Sequence, residues 1–319
     1  MSKCNNADCF IHDTGQCHKL IDPVEKCPDY LQEGQKIASA SKREIKNDRS
    51  NNLVMPWDGE FLTLESIPLV TIYSGPTIIG LVGSAKAGKT SYLATLFTLL
   101  QNHSRISDFG FAGSITIDAW DKLAHSVKFN GGDIQYPEPT PSNPNFYSLF
   151  HLKLKQEKTK HILFADSSGE VFNQWASDSN DSNAGSARWI CANSSGFVFF
   201  IDCDVLVKRK AVAKSEVLDI AYRLKDEIAG RPIVIAWSKG DNFENVPKEI
   251  VQSLQSELDL IFPGHKSFLI SNHSFSDSDK LCHINNIKLI ESILDLISSI
   301  KPAQLDIADI ETNDYFFKL

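Results

Sequence analysis

GSAKAGKT, residues 83–90, matches the pattern G-x-x-x-x-G-K-[ST] at every position. The apolar run 77–82 before it is typical of a short buried strand, and apolar residues after it recur at the spacing of one buried helical face. Strand, glycine-rich turn and helix together cradle phosphate, because the turn bends around an anion and the helix N-terminus presents N–H groups to it. The sequence therefore predicts a bound nucleoside triphosphate.

Individual roles follow from this cradle. Lys89 is expected to reach the terminal phosphates, and the Thr90 hydroxyl is expected to bind Mg²⁺. The predicted nucleotide-binding residues of this segment are Gly83, Ser84, Ala85, Lys86, Ala87, Gly88, Lys89, Thr90 and Ser91.

A second apolar run, residues 161–165, ends at Asp166, and Gly169 follows three positions later. An aspartate at the tip of the strand beside the phosphate loop can hold Mg²⁺ through water. A glycine three residues on can offer its N–H to the γ-phosphate. We predict that both residues contact the nucleotide–Mg²⁺ complex.

A third apolar run, residues 233–237, leads into SKGD, residues 238–241. This segment is similar to the [NT]-K-x-D motif, in which the aspartate accepts hydrogen bonds from guanine N1–H and N2–H₂ and the lysine stem lies along the purine. We therefore predict GTP and GDP as ligands, with Asp241 and Lys239 at the base. Ser238 replaces the residue that would have tethered the phosphate loop to this segment.

The last predicted strand is followed by Ser271 and Asn272. This position resembles the S-A-K-type loop whose backbone N–H meets guanine O6. Ser271 matches that pattern, whereas Asn272 and His273 depart from it. We predict that Ser271 and Asn272 contribute to nucleotide binding.

These segments together resemble the Ras-like (TRAFAC-class) P-loop GTPases over residues 77–300. The D-x-x-G-E sequence and the insert at residues 111–116 with Trp120 look like the bacterial double-GTPase group of that class. The alternation of strand and helix patterns from Thr77 onward independently predicts an α/β fold with a mostly parallel sheet. The resemblance implies a Ras-like three-layer domain and a role beside partner proteins in multi-gene conflict or defence systems.

The first switch is expected between residues 104 and 145. Thr140 lies six residues ahead of Phe146 and is the predicted Mg²⁺-binding threonine, with Thr116 as the runner-up and a loop threonine without a ligand as the third interpretation. A long segment rich in Gly and Pro is typical of a mobile functional loop.

Glu170 occupies the position at which Ras-like proteins often carry a water-orienting glutamine. The predicted catalytic residues are therefore Lys89, Glu170 and Thr140. Arg105 is the single arginine of the presumed first switch, and phosphoryl transfer commonly needs an added positive charge. We expect slow GTP hydrolysis that a protein partner, a second GTPase or an effector, accelerates. The alternative is a nucleotide-binding scaffold with little turnover.

Four of the seven cysteines lie in the first 27 residues, at Cys4, Cys9, Cys17 and Cys27. Disulfides are disfavoured in a reducing cytosol, so a four-cysteine Zn²⁺ site is predicted. The spacing C-x4-C-x7-C-x9-C lacks tight C-x2-C pairs, which leaves open an iron–sulfur cluster or a ligand role for His12 or His18.

Composition limits the remaining choices. The net charge of −8 argues against a general binder of nucleic acid or of membrane surfaces. The chain lacks a spanning apolar run and an N-terminal secretion signal, so a cytoplasmic location is expected. We predict a cysteine-rich module over residues 1–33, a linker over 34–53, a GTPase domain over 54–302 and a C-terminal tail over 303–319.

Overall fold

The computed structural model describes residues 26, 27, 30, 59–71, 75–102, 104–130, 133–135, 137–141, 147–273 and 279–300. The chain divides into two units, Met1–Met55 and Pro56–Leu319, and every element below belongs to the second. The predicted linker, the C-terminal tail and the candidate zinc ligands Cys4, Cys9 and Cys17 lie outside the described residues. Cys27 is described, and its thiol is buried.

The described residues of the second unit form nine strands and eight α-helices. The strands are β1 (Thr77–Gly83), β2 (Gly110–Gly113), β3 (Lys128–Asn130), β4 (Asp133–Gln135), β5 (Ser148–Lys155), β6 (Thr159–Asp166), β7 (Gly196–Asp202), β8 (Ile233–Ser238) and β9 (Lys266–Leu269). The helices are α1 (Pro68–Thr71), α2 (Lys89–Gln101), α3 (Ile117–Ser126), α4 (Gly169–Ser177), α5 (Gly185–Asn193), α6 (Cys203–Ile228), α7 (Lys248–Ile261) and α8 (Asn285–Ser299). Helix α6 is kinked at Lys210.

Seven strands form one sheet in the order β2-β5-β6-β1-β7-β8-β9. Five neighbouring strands of this sheet, β6, β1, β7, β8 and β9, are parallel. Strand β5 runs antiparallel to β6, and β2 runs antiparallel to β5. Strands β3 and β4 form a separate hairpin. The predicted α/β fold with a mostly parallel sheet is confirmed.

Side chains alternate between two hydrophobic clusters on opposite faces of this sheet. Along β7, Phe197 and Phe199 pack with α4–α7, while Val198 and Phe200 pack with α2, α3 and α8. A strand buried on both faces reads as a continuous apolar run, which is why the central strands could be recognised in the sequence. The sheet therefore lies between two layers of helices.

The alternation of apolar and polar residues over Phe146–Leu154 predicts a half-exposed strand, and β5 differs from this prediction. Its outer edge is covered along most of its length: Leu149 exchanges backbone hydrogen bonds with Leu62, and residues 153–155 pair with β2. Between them, the His151 N–H donates to Thr116 Oγ1 at 2.9 Å, and Trp120 Nε1 donates to the His151 carbonyl at 2.7 Å. Of the polar positions of this strand, Ser148 and His151 are buried, Lys153 is half-buried and Lys155 is exposed.

The segment after α2 also differs from the predicted mobile loop, because residues 106–126 include β2 and α3 and contribute Ile106, Ala119, Trp120 and Leu123 to the core. Trp120 is fully buried, stacked on Phe97 at 5.2 Å between ring centroids and tilted against Phe150 at 4.9 Å. The Thr116 hydroxyl is buried against the main chain of His151. Thr116 is therefore part of the core and does not line the cavity described below.

The His151 ring fixes this insertion to the sheet. Its Nδ1 accepts from the Ile115 N–H at 3.0 Å, and its Nε2 lies 2.9 Å from Nδ1 of His161. Burial, with the neighbouring His161 and Lys153, lowers the pKa of His151 to about 4, so the ring is neutral at pH 7.

Among the described residues, no helix is both long and apolar enough to cross a membrane.

Candidate nucleotide-binding site

A cavity of about 460 Å³ opens at the carboxyl ends of the parallel strands. In α/β sheets, this edge, at the point where the chain crosses from one side of the first strand to the other, is where ligands bind. The described lining residues come from the phosphate loop, the loop before β5, the start of α4 and the loops after β7, β8 and β9. They are Ala85–Ser91, Pro137–Thr140, Ser167–Glu170, Asp204, Lys239, Asp241 and Ser271–His273.

Two glycines shape the phosphate loop. Gly83 ends β1 with φ 151°, and a Cβ at this position would lie 2.8 Å from the Phe200 carbonyl oxygen. Gly88, with φ 85°, adopts the left-handed conformation and is the N-cap of α2. The free N–H groups of the first helical turn therefore lie against the cavity, where they favour an anion.

Lys89 is buried and bonded within the loop. Its Nζ donates to the carbonyl oxygens of Gly83 at 3.0 Å and Ser84 at 3.2 Å, and it lies 5.7 Å from the centroid of the Phe172 ring. Burial lowers the pKa of Lys89 to about 8, while the nearby Asp166 opposes that shift. A phosphate at the loop would give the ammonium a charged acceptor in place of two neutral ones.

Three oxygen-bearing side chains meet beside Lys89. The Thr90 hydroxyl donates to Asp166 Oδ2 at 2.6 Å, and the Thr140 hydroxyl lies 3.1 Å from that of Thr90 and 3.5 Å from Asp166 Oδ2. Asp166 Oδ1 is buried and lacks a hydrogen-bond partner among the described residues. Burial raises the pKa of Asp166. An unsatisfied carboxylate oxygen among hydroxyls is a donor set suited to Mg²⁺, so the residues present fit this ion.

The start of α4 lies directly against the phosphate loop. A Cβ at Gly169 would overlap the backbone of Ser84 and Ala85, so only glycine fits at this approach. Ser168 caps the helix by accepting from the Glu170 N–H at 3.3 Å. Glu170 is exposed and lines the cavity.

The part of the cavity lined by Asp204, Lys239 and Asp241, where the base is predicted to bind, is called the base side, and it is acidic. Lys239 Nζ donates to Asp202 Oδ2 at 2.6 Å and lies 3.8 Å from Asp204, which holds the lysine stem beside the cavity. Asp241 follows in a short 3₁₀-helix, Gly240–Asn245, and lines the cavity. Asp204 accepts from Asn242 Nδ2 at 2.7 Å. Ser238 is turned away from the cavity, and its Oγ donates to the Ile201 carbonyl at 3.2 Å.

Ser271 and Asn272 also line the cavity, although their side chains bond elsewhere. Ser271 Oγ donates to the His273 carbonyl at 3.0 Å, and Asn272 Nδ2 donates to the Gly88 carbonyl at 3.1 Å. The side chain of Asn272 thus contacts the phosphate loop from the base side. A backbone contact between this loop and guanine O6 stays a prediction.

All the predicted nucleotide-binding residues line this cavity except Gly83, Ser84 and Asp166, each of which lies within two residues of a lining residue in the chain. Their roles stay predictions. The sequence interpretation missed seven lining residues: Pro137, Glu138, Pro139, Ser167, Ser168, Asp204 and His273. One signal was available for Asp204, because β7 ends at Asp202 and parallel strands bring their carboxyl ends to one edge.

The fold and the site define a nucleotide-binding α/β protein with a phosphate loop. The family model of Double-GTPase 2 matches residues 77–297, and the chain belongs to this family. The double-GTPase resemblance is therefore confirmed, and the chain is a GTP-binding protein. It is also similar, at 14% identity and a TM-score of 0.41, to the solved structure of nucleolar GTP-binding protein 1 from Plasmodium falciparum, covering 70% of this chain and 87% of that one. No curated protein matches.

Proposed function

We propose that this chain is a GTP-dependent molecular switch that hydrolyses GTP slowly and exchanges protein partners between its two nucleotide states. The observation that carries the proposal is the meeting of Thr140 and Asp166 at Thr90. Two segments that are distant in sequence reach one hydroxyl of the phosphate loop. A ligand there that gains or loses a phosphate therefore changes the contacts of both segments at once.

Mg²⁺ belongs to this proposal. Thr90, Thr140 and Asp166 would hold the ion, which supplies positive charge to the phosphate oxygens when bound. Lys89 supplies a second charge from its buried position, and Gly169 offers its N–H at the start of α4. Glu170, which lines the cavity, would orient the attacking water.

Slow hydrolysis follows from the charges at the cavity. The cations among its described lining residues are Lys86, Lys89 and Lys239, and none of these lining residues is arginine. Lys239 is paired with Asp202, and Glu170 adds negative charge close to the phosphates. An arginine from a partner protein, worth about 10³–10⁵ in rate, would complete the site. The partner is a second GTPase or an effector, and the setting implied by family resemblance is a conflict or defence system.

The test combines base competition with turnover. The purified chain should bind a fluorescent GDP analogue that GTP displaces and ATP does not. Turnover should stay below one per minute and should fall further in Glu170→Ala, whose GTP affinity is unchanged. Equal displacement by ATP would overturn guanine binding, and several turnovers per second by the isolated chain would overturn the partner requirement. Full activity of Glu170→Ala would remove its catalytic role.

Partner exchange needs its own measurement. Proteins retained from a lysate of the source cells by the chain loaded with a non-hydrolysable GTP analogue should differ from those retained with GDP. A retained protein that also accelerates hydrolysis in purified form would supply the missing charge. Identical retention in both states, together with absent turnover, would favour the scaffold alternative instead of a switch.

A further inference from the structure

The amide of Asn272 is bonded to the phosphate loop from the far side of the cavity. Its Nδ2 donates to the Gly88 carbonyl at 3.1 Å, and the same oxygen accepts the Tyr92 N–H at 2.8 Å as the first hydrogen bond of α2. Gly88 is the residue before Lys89 and adopts a left-handed conformation. The amide therefore holds the carbonyl of Gly88, the residue that joins the phosphate loop to the N-terminus of α2 and to Lys89.

The backbone around Asn272 is held in place by two helices. From α2, Thr95 Oγ1 donates to the Asn272 carbonyl at 2.9 Å. From α8, Asn286 Nδ2 donates to the Ser271 carbonyl at 2.8 Å. A side chain on a backbone that is already ordered loses little conformational freedom when it forms a hydrogen bond, so this contact is available before a ligand binds.

Ser238, at the end of the neighbouring strand β8, does not form a side-chain hydrogen bond to the phosphate loop. Its Cβ lies 3.7 Å from the position that a Cβ on Gly88 would take, yet its hydroxyl donates to Ile201 and does not reach the loop. The segment after β8 is thus next to Gly88 without a side-chain hydrogen bond to it. Asn272, after β9, forms the hydrogen bond to Gly88 that Ser238 does not form.

We propose that Asn272 is a positioning residue that tethers the phosphate loop through Gly88 and does not read the guanine base. The inference rests on the proposed function and refines it, because it assigns one residue of the base-side loop to the phosphates. A single hydrogen bond between neutral groups is worth about five- to tenfold in an equilibrium constant. That is the loss expected when the tether is removed.

The test is a set of affinities for the full chain and for Asn272→Ala and Asn272→Asp. The second variant keeps the shape of the side chain and replaces the donor by an acceptor. GTP and GDP should bind about five- to tenfold more weakly to Asn272→Ala, and more weakly still to Asn272→Asp, whose carboxylate also adds negative charge beside the phosphate loop. The ratios of GTP to ITP and of GTP to ATP should stay as in the unmodified chain, because ITP and ATP differ from GTP in the base alone.

Asn285→Ala is the matched control. Its amide Nδ2 donates to the Leu269 carbonyl at 2.7 Å, so this variant loses a comparable hydrogen bond at the end of β9 without touching the phosphate loop. Its nucleotide affinities should equal those of the unmodified chain. An equal loss in Asn285→Ala, an unchanged affinity in Asn272→Ala, or a shifted GTP to ITP ratio would each overturn the tether. A wild-type chain that fails to prefer GTP over ATP would overturn the proposed function instead.

Discussion

At the scale of single residues, the proposed function assigns some groups of the cavity to the phosphates and others to the base. Lys89, Thr90 and Asp166 are buried or half-buried and bonded to one another or to the loop, whereas Asp241 stands on an exposed turn. The first set depends on desolvation and charge. The second depends on matching hydrogen-bond donors. Each set makes its own prediction.

Asp241→Asn should change the preferred base. The carboxylate accepts from both N1–H and N2–H₂ of guanine, while an amide offers one acceptor and one donor, which match N1–H and the 2-carbonyl of xanthine. Two charge-assisted hydrogen bonds correspond to about 3 kcal/mol, so GTP affinity should fall about a hundredfold and XTP affinity should rise. Competition assays with GTP, XTP and ATP would measure this. A variant that keeps its preference for GTP would contradict the assignment.

Nucleotide affinity should depend on pH through Lys89. Burial lowers the pKa of Lys89 to about 8 in the nucleotide-free chain, so the ammonium loses its proton as the pH rises through that value. Bound phosphate favours the charged form, so binding above pH 8 takes up a proton. GTP affinity should be constant below about pH 8 and fall about tenfold per pH unit above it.

Calorimetry in two buffers of different ionisation enthalpy would detect this proton uptake. The pH dependence should persist in Lys86→Ala, because Lys86 is exposed. It should vanish together with binding in Lys89→Ala. An affinity that is the same at pH 7 and pH 9.5 would show that the Lys89 ammonium keeps its proton throughout.

At the scale of elements, the position of α4 depends on close contact with the phosphate loop. Gly169→Ala places a methyl group into the backbone of Ser84 and Ala85, so the start of α4 must move. We expect GTP turnover to fall at least tenfold and GTP affinity to fall more than GDP affinity, since the Gly169 N–H is predicted to contact the γ-phosphate. Gly110→Ala is the control, because a Cβ there meets nothing within 4 Å. Equal turnover in both variants would mean that α4 adapts without cost.

Elements that carry their own period could be predicted from sequence, and those defined by packing could not. The continuous apolar run of β7 and the helical spacing in α2, α6, α7 and α8 were sufficient. The insertion after α2 was not, because the environment of Trp120 comes from Phe97 and Phe150 on other elements. The Gly and Pro residues that favoured a loop over the whole segment 104–145 lie mostly in residues 131–144, and at residues 106–126 tertiary burial prevailed over that prediction.

The same contrast holds within the site. Gly83 to Thr90 could be identified because a phosphate cradle needs those residues at fixed spacing. The Asn272–Gly88 hydrogen bond could not, since the two residues are 184 positions apart and no local pattern joins them. Glu138 likewise lines the cavity from the loop ahead of β5, and no local pattern marks it.

At the scale of the whole molecule, we expect that nucleotide affinity does not depend on the metal predicted in the first unit. Cys4, Cys9, Cys17 and Cys27 are expected to hold one Zn²⁺, and the described residues contain no group of three or more His, Cys, Asp or Glu side chains that could hold a metal ion. Metal analysis of the purified chain should find about one zinc per chain, lost in Cys4→Ser with Cys9→Ser. GTP affinity should be unchanged by that loss. Substoichiometric zinc and iron, with four thiols that react freely in the native protein, would rule out the site.

Strand β5 gives the switch a fixed boundary. Thr140 lies eight residues before Ser148, where a strand begins that is bonded on one side to β6 and on the other to Leu62, to the insertion and to β2. Amide hydrogens in such a strand exchange with solvent only when the sheet itself opens. Deuterium uptake along Ser148–Lys155 should therefore be slow and identical with GDP and with GTP. A partner that distinguishes the two states would then contact the loop ahead of this strand or the segment that follows Asp166, because the strand itself gives the same signal in both.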